Sequence, residues 1–129
     1  YMQLNLETDY AIRLVSILCE NKERISASEI AKRTGVTLRF SLKILGKLAQ
    51  SGIVKSYKGA NGGYVINKAP KDISLREVVT VMQGPIEINK CTKSEDLCTN
   101  PNSAECRFRA FFAQLSKEIN EKMEKMRFA

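Results

Sequence analysis

Histidine is missing from all 129 residues. Its absence removes imidazole as a general base and as a metal ligand, so any bound metal would need sulfur or oxygen donors. Long apolar runs are missing too: no stretch of 18 residues could cross a bilayer, and the N-terminus lacks the charged, apolar and small-residue order of a signal peptide. The expectation is a cytoplasmic protein with no membrane partner. Closely spaced cysteine pairs, the knuckles of structural zinc sites, do not occur. There is no glycine-rich nucleotide-phosphate loop and no readable carboxylate pair, so an enzyme is not expected.

What remains suits one domain with a real core. Tyr1 ahead of Met2 reads as an appended residue, with Met2 as the expected start. Positive charge is unevenly spread. The segment 22–76 holds 12 Lys and Arg against 3 Asp and Glu, while residues 77–129 carry eight of each sign and residues 1–21 are slightly acidic. The whole net charge of +7 therefore comes from the middle of the chain. A localised excess of this kind is a footprint for a polyanion, or else a solvated basic face.

Local signals give the order of elements. An apolar first helix is expected over 9–20, with Asp9 as its N-cap. Ser26 and Glu29 form a capping box for a short helix stopped by Gly35, and a second helix runs from Thr37 to about Ser51 before Gly52. Two short helices joined through a glycine turn are a helix-turn-helix. On the second, Leu38, Leu42, Leu45, Leu48 and Ala49 are expected to face the core, with Arg39, Lys43, Gly46, Lys47 and Gln50 opposite. The runs "IVKSY" and "GYVIN" flank the turn "KGANGG" and predict a hairpin, which makes the unit a winged helix. Another capping box, Ser74 with Glu77 and a staple of Ile73 on Val78, opens a helix that ends near Gly84-Pro85.

A final helix is expected from Asn102 to Arg127, with Asn102 and Glu105 as its capping box. Its apolar stripe of Phe108, Phe111, Phe112, Leu115, Ile119, Met123 and Met126 extends over about 37 Å, more than so small a chain can cover. A homodimer is the expected solution. The fold class is thus mainly α with a small β hairpin: a winged helix-turn-helix DNA-binding domain at 2–84, a cysteine-containing loop at 85–101 and a dimerisation helix at 102–129.

Between hairpin and last helix, "KCTKSEDLCTNPNSAECRF" brings three of the four cysteines together. Thiolates are soft ligands for iron-sulfur clusters, copper(I) or zinc, and a cytosolic chain keeps them reduced. Cys106 would fall in the first turn of the last helix, where backbone N–H groups favour a thiolate. Three free thiols or a regulatory disulfide is the alternative. Cys19, in the apolar run "RLVSILCE", reads as a small core residue.

The stretches "SASEIAKRTGVT", "KILGKLAQSGIVKS" and above all "KGANGGYVINKAPKDIS" resemble the bacterial winged-helix repressors of the IscR/NsrR-like (Rrf-type) iron-sulfur regulator family. The likeness spans nearly the whole chain. It implies a homodimer on double-stranded operator DNA, with Thr37, Arg39, Lys43, Lys47 and Gln50 of the recognition helix and Lys58 and Asn61 of the wing as DNA contacts. It also implies an iron-sulfur cluster, 2Fe-2S or 4Fe-4S, on Cys91, Cys98 and Cys106. With histidine absent, Thr8-Asp9 matches the nitric-oxide-sensing branch, in which an aspartate from the partner subunit is the fourth ligand, so Asp9 is the candidate. The implied function is a regulator whose operator affinity is controlled by the cluster, sensing nitric oxide, redox state or iron and cluster supply. A cluster-free repressor controlled by thiol oxidation or a partner protein is the other reading. Departures are visible: Lys58 stands where the wing commonly has arginine, Phe40-Ser41-Leu42-Lys43 replaces Tyr-Leu-Glu-Gln, and the cysteine gaps are six and seven residues.

Overall fold

Three helices open on a hydroxyl cap. Ser26, Thr37 and Ser74 each adopt an extended backbone, and each side-chain oxygen accepts the N–H of the residue three further on. This satisfies a donor that the helix itself leaves orphaned. The computed structural model describes residues 4–85 and 107–129. Cys91, Cys98 and Cys106, and the expected Asn102–Glu105 capping box, lie outside the described residues.

The chain runs α1 (Leu6–Glu20), α2 (Ala27–Thr34), α3 (Leu38–Ser51), β1 (Val54–Tyr57), β2 (Gly63–Ile66), a short 3-10 turn (Pro70–Asp72), α4 (Leu75–Gln83) and α5 (Arg107–Lys125). Gly35 and Gly52 end α2 and α3 in the left-handed conformation, as their positions in the sequence require. The strands pair antiparallel in the register Val54↔Ile66 to Tyr57↔Gly63. Ile25 bridges Tyr64 through two backbone hydrogen bonds of 3.1 and 2.8 Å, which anchors the hairpin to the approach to α2. Gly63 makes this possible: its φ is +146°, and a Cβ there would lie 2.7 Å from the Ile25 carbonyl oxygen.

The core is a single cluster drawn from every element of the winged helix. Leu14, Val15 and Leu18 of α1 meet Ile30 of α2, Ile44, Leu45 and Leu48 of α3, then Ile53, Ile73 and Val78. Each such side chain contributes roughly 1.5–3 kcal/mol through removal from water.

Three expectations are corrected here. The N-cap of α1 is Asn5, whose Oδ1 accepts the Thr8 N–H at 2.8 Å. Asp9 is consequently an exposed first-turn residue, paired with Arg13 one turn on at 3.2 Å. On α3 the buried side is Ser41, Ile44, Leu45 and Leu48, whereas Leu38 and Leu42 are 45% and 47% exposed. The inward direction is set by the helices that α3 meets, and it is rotated from the mean direction of its leucines towards Ser41 and Ile44. Finally, α5 stops at Lys125, and the chain turns extended: Met126 accepts the Leu75 N–H at 2.8 Å and Phe128 donates to the Ile73 carbonyl at 3.2 Å.

Along α5, Phe108 and Phe111 are 58% and 59% exposed, while Phe112, Leu115, Ile119 and Met123 are half-buried. The helix packs against α4, and its only buried described residue is Ser116.

Candidate nucleic-acid interface and sensor ligands

Thr37 caps α3 by accepting the Phe40 N–H at 3.2 Å, which fixes where the helix starts and thus which side chains face outward. Arg39, Lys43, Gly46 and Gln50 are all exposed, and Lys47 is half-buried beside them. A cleft opens on this face, lined by Arg39, Phe40 and Lys43. Leu38 and Leu42 add apolar surface to the same outward side.

The outward cations are not uniformly free. Lys43 Nζ lies 2.9 Å from Glu7 Oε1, and Lys47 Nζ lies 3.5 Å from Glu7 Oε2. At Oε1 the approach is an ion pair without hydrogen-bond alignment. The Lys43 ammonium, opposed by desolvation and helped by Lys47, holds the Glu7 carboxyl below the ordinary carboxylate value of 4.5. Next to this junction the rings of Tyr10 and Phe40 meet edge to face, with centroids 6.0 Å apart, so α1 and α3 are locked by charge and by aromatic contact together.

At the wing, Lys58 and Asn61 are exposed in the turn between the strands. The turn is held from outside. Arg24 lays its guanidinium 3.7 Å from the Tyr57 ring centroid and donates to the Asn61 carbonyl at 3.1 Å. Neither Arg24 nor Glu7 was legible as a site residue, because both act on partners far away in sequence. The sequence marks them only as charges next to buried positions.

Among the described residues no group of three potential ligands gathers for a metal. Of the expected cluster ligands only Asp9 is described. It is exposed on α1, and one carboxylate oxygen is engaged by Arg13. The start of α1 is itself tied to the end of α4: the Thr8 hydroxyl lies 2.7 Å from Gln83 Oε1, which also accepts the Asn5 N–H at 3.0 Å. Gln83 closes α4, and the cysteine-bearing segment follows it in the sequence. Cys19 is half-buried against the core, and burial together with Glu20 pushes its thiol up to about 11.

No helix among the described residues is long and apolar enough to cross a membrane. Comparison with known proteins extends the picture. The chain is 34% identical over 116 residues to a putative rrf2-like HTH-type transcriptional regulator of Rhodobacter capsulatus, covering 82% of this chain and 76% of that protein. It is 30% identical over 96 residues to the HTH-type transcriptional regulator NsrR of Halalkalibacterium halodurans, covering 73% of this chain and 66% of that one. Among solved structures, CymR, the global cysteine regulator of B. subtilis, superposes with a TM-score of 0.81 at 19% identity, over 99% of this chain and 94% of that chain. The IscR of T. potens superposes with a TM-score of 0.76 at 20% identity, over 98% and 82%. These two likenesses show the winged-helix fold. Family members are transcriptional regulators, not enzymes; they bind DNA, and they commonly function as dimers. Residues 4–129 match the family described as Rrf2, iron-dependent transcriptional regulator, and the chain belongs to it.

Proposed function

We propose that this regulator binds a palindromic operator as a homodimer and that an iron-sulfur cluster on Cys91, Cys98 and Cys106, with Asp9 as fourth ligand, sets its affinity. The observation that carries the DNA half is the outward face of α3. Arg39 and Gln50 are side chains that pair with guanine and adenine edges, and they stand exposed beside Lys43 on a capped helix that leads straight into a hairpin. Gly46 lies among them. A glycine inside a helix costs about 1 kcal/mol relative to alanine. Among the described residues, nothing apart from the helix's own neighbouring residues lies within 4 Å of the place its Cβ would take. A backbone left bare towards the outside suits close approach to another molecule, and a major groove is such a surface.

The sensor half rests on donor chemistry. Three thiols in one loop and no imidazole in the chain fit a cluster better than a zinc site. The remaining thiol, Cys19, is half-buried against the core, and the fourth ligand that the family resemblance implies, Asp9, stands exposed. Such a cluster would supply a reactive, exchangeable iron to small molecules. The chain's own part is mechanical. The cysteine-bearing segment follows Gln83 in the sequence, Gln83 is hydrogen-bonded to the start of α1, and α1 is locked to α3 through Glu7 and Tyr10. A change at the loop therefore has a packed route to the helix that reads DNA.

The test is purification without oxygen, followed by iron and sulfide analysis, the visible spectrum, and operator selection from a random duplex pool. The expected protein is coloured and loses its chromophore in each of Cys91→Ser, Cys98→Ser and Cys106→Ser, while Asp9→Ala alters it. Titration with nitric oxide, oxygen or a chelator then changes operator affinity. Protein that lacks iron and sulfide, resists reconstitution and still binds its operator would overturn the cluster and favour control by thiol oxidation or a partner.

A further inference from the structure

Glu7 occupies a position that DNA would otherwise contest. Both of its carboxylate oxygens are taken by lysines of α3, at 2.9 Å and 3.5 Å. Its side chain is only 20% exposed, whereas those of Lys43 and Lys47 are 59% and 39% exposed. The anion is held in the α1–α3 junction, and the cations reach it from the outer side. Lys43 and Lys47 are one turn apart, where like charges repel, and a carboxylate between them removes that repulsion.

We propose that Glu7 is an internal counter-ion that occupies Lys43 and Lys47 in place of DNA phosphate, and so restrains sequence-independent binding while leaving base reading to Arg39 and Gln50. The proposal rests on the reading that α3 enters DNA. Two free lysines on a recognition helix would attract any phosphate backbone, whatever its sequence. With a carboxylate between them, the pair presents one net positive charge instead of two. Binding to a random duplex is weakened most, because it depends wholly on such charge, and the ratio of specific to non-specific affinity rises. Glu7 is thus a specificity-determining residue that need touch no base. Asp9 stands two residues further along the same turn of α1, so the restraint sits beside the proposed sensor ligand.

The test uses the full chain on a mixed-sequence duplex and on its selected operator, with affinity followed by fluorescence anisotropy as KCl is raised. Each phosphate contact contributes about 0.9 to the slope of log affinity against log salt. Glu7→Gln is expected to bind the mixed duplex several-fold more tightly, with the slope steeper by about one to two contacts' worth. In a Lys43→Ala/Lys47→Ala background the same change is expected to do nothing, since the restrained cations are gone. Thermal melting checks that the variants fold, and Glu7→Met, which keeps the apolar stem, stands in if Glu7→Gln melts early. Unchanged affinity and slope in a folded variant, or an equal gain in the double-lysine background, would overturn the proposal while leaving DNA binding intact. A chain that binds neither duplex in any variant would instead sink the reading of α3 itself.

Discussion

Arg24 caps the ring of Tyr57, with its guanidinium carbon 3.7 Å from the ring centroid, and from there donates to the Asn61 carbonyl at 3.1 Å. One side chain from the α1–α2 connection thereby grips both a strand of the hairpin and its tip. A cation on an aromatic face contributes about 0.5–1 kcal/mol at an exposed site. Arg24→Ala is expected to cost about that in stability, and to weaken operator binding further by loosening the turn that carries Lys58 and Asn61. Arg24→Lys keeps the charge but lacks the planar fork, so it should recover only part of the loss. Denaturant unfolding and anisotropy on the same variants separate the two effects; equal affinity in all three proteins would mean that the wing does not touch DNA.

On the proposed operator, the outward face of α3 would offer two kinds of reader. Arg39→Ala is expected to cost about 1–3 kcal/mol at the selected operator and to relax base preference at one position per half-site. Leu38 and Leu42, exposed beside it, are suited to apolar contact with thymine methyl groups. Replacing the contacted thymines by deoxyuridine, which lacks only that methyl, should weaken the native protein and leave Leu42→Ala unaffected. Lys58→Ala should act differently, weakening all sequences alike and lowering the salt slope by about one contact.

Which of these features could be read in advance follows from how far each signal reaches. Ser26, Thr37 and Ser74 announce their helices, and Gly35 and Gly52 end them, because caps depend on residues three or four apart. The hairpin strands were legible from "IVKSY" and "GYVIN" for the same reason. The phase of α3 was not, since a leucine-rich helix leaves its inward direction to the partners it meets, and these turned Ser41 and Ile44 inward. Asn5 took the cap from Asp9 because both residue types suit it and tertiary bonds to Gln83 decided between them. Glu7 and Arg24 act across packed elements, and no local pattern foretells such contacts.

Cys19 should be chemically silent. With its thiol at about 11, only about one molecule in a thousand is thiolate at pH 8. Iodoacetamide should label it slowly in the folded chain and rapidly in urea, where the value returns to that of an ordinary thiol. Cys19→Ser should leave the chromophore, and its response to nitric oxide or oxygen, unchanged. Rapid labelling of Cys19 in the native protein, read by mass spectrometry of peptides, would make it a second candidate for redox control.

We expect the dimer to form through α5. Phe108 and Phe111 stand 58% and 59% exposed on a helix that packs against α4, and their rings continue the half-buried line of Phe112, Leu115, Ile119 and Met123. Apolar surface of that length is costly to leave in water, and a second copy presenting the same stripe would cover it symmetrically. Two recognition helices would then be held at one fixed spacing, the condition for reading a palindrome with half-sites one or more turns apart. Phe111→Glu places a charge in the middle of that contact while altering a side chain that the isolated domain barely uses. Sedimentation should show the native chain as a dimer and the variant as a monomer with an unchanged thermal transition of the winged-helix core. Binding to a full palindrome should fall to the level of a single half-site, while binding to the half-site alone stays the same. A variant that remains dimeric and binds the palindrome as tightly as before would mean that another surface joins the two copies.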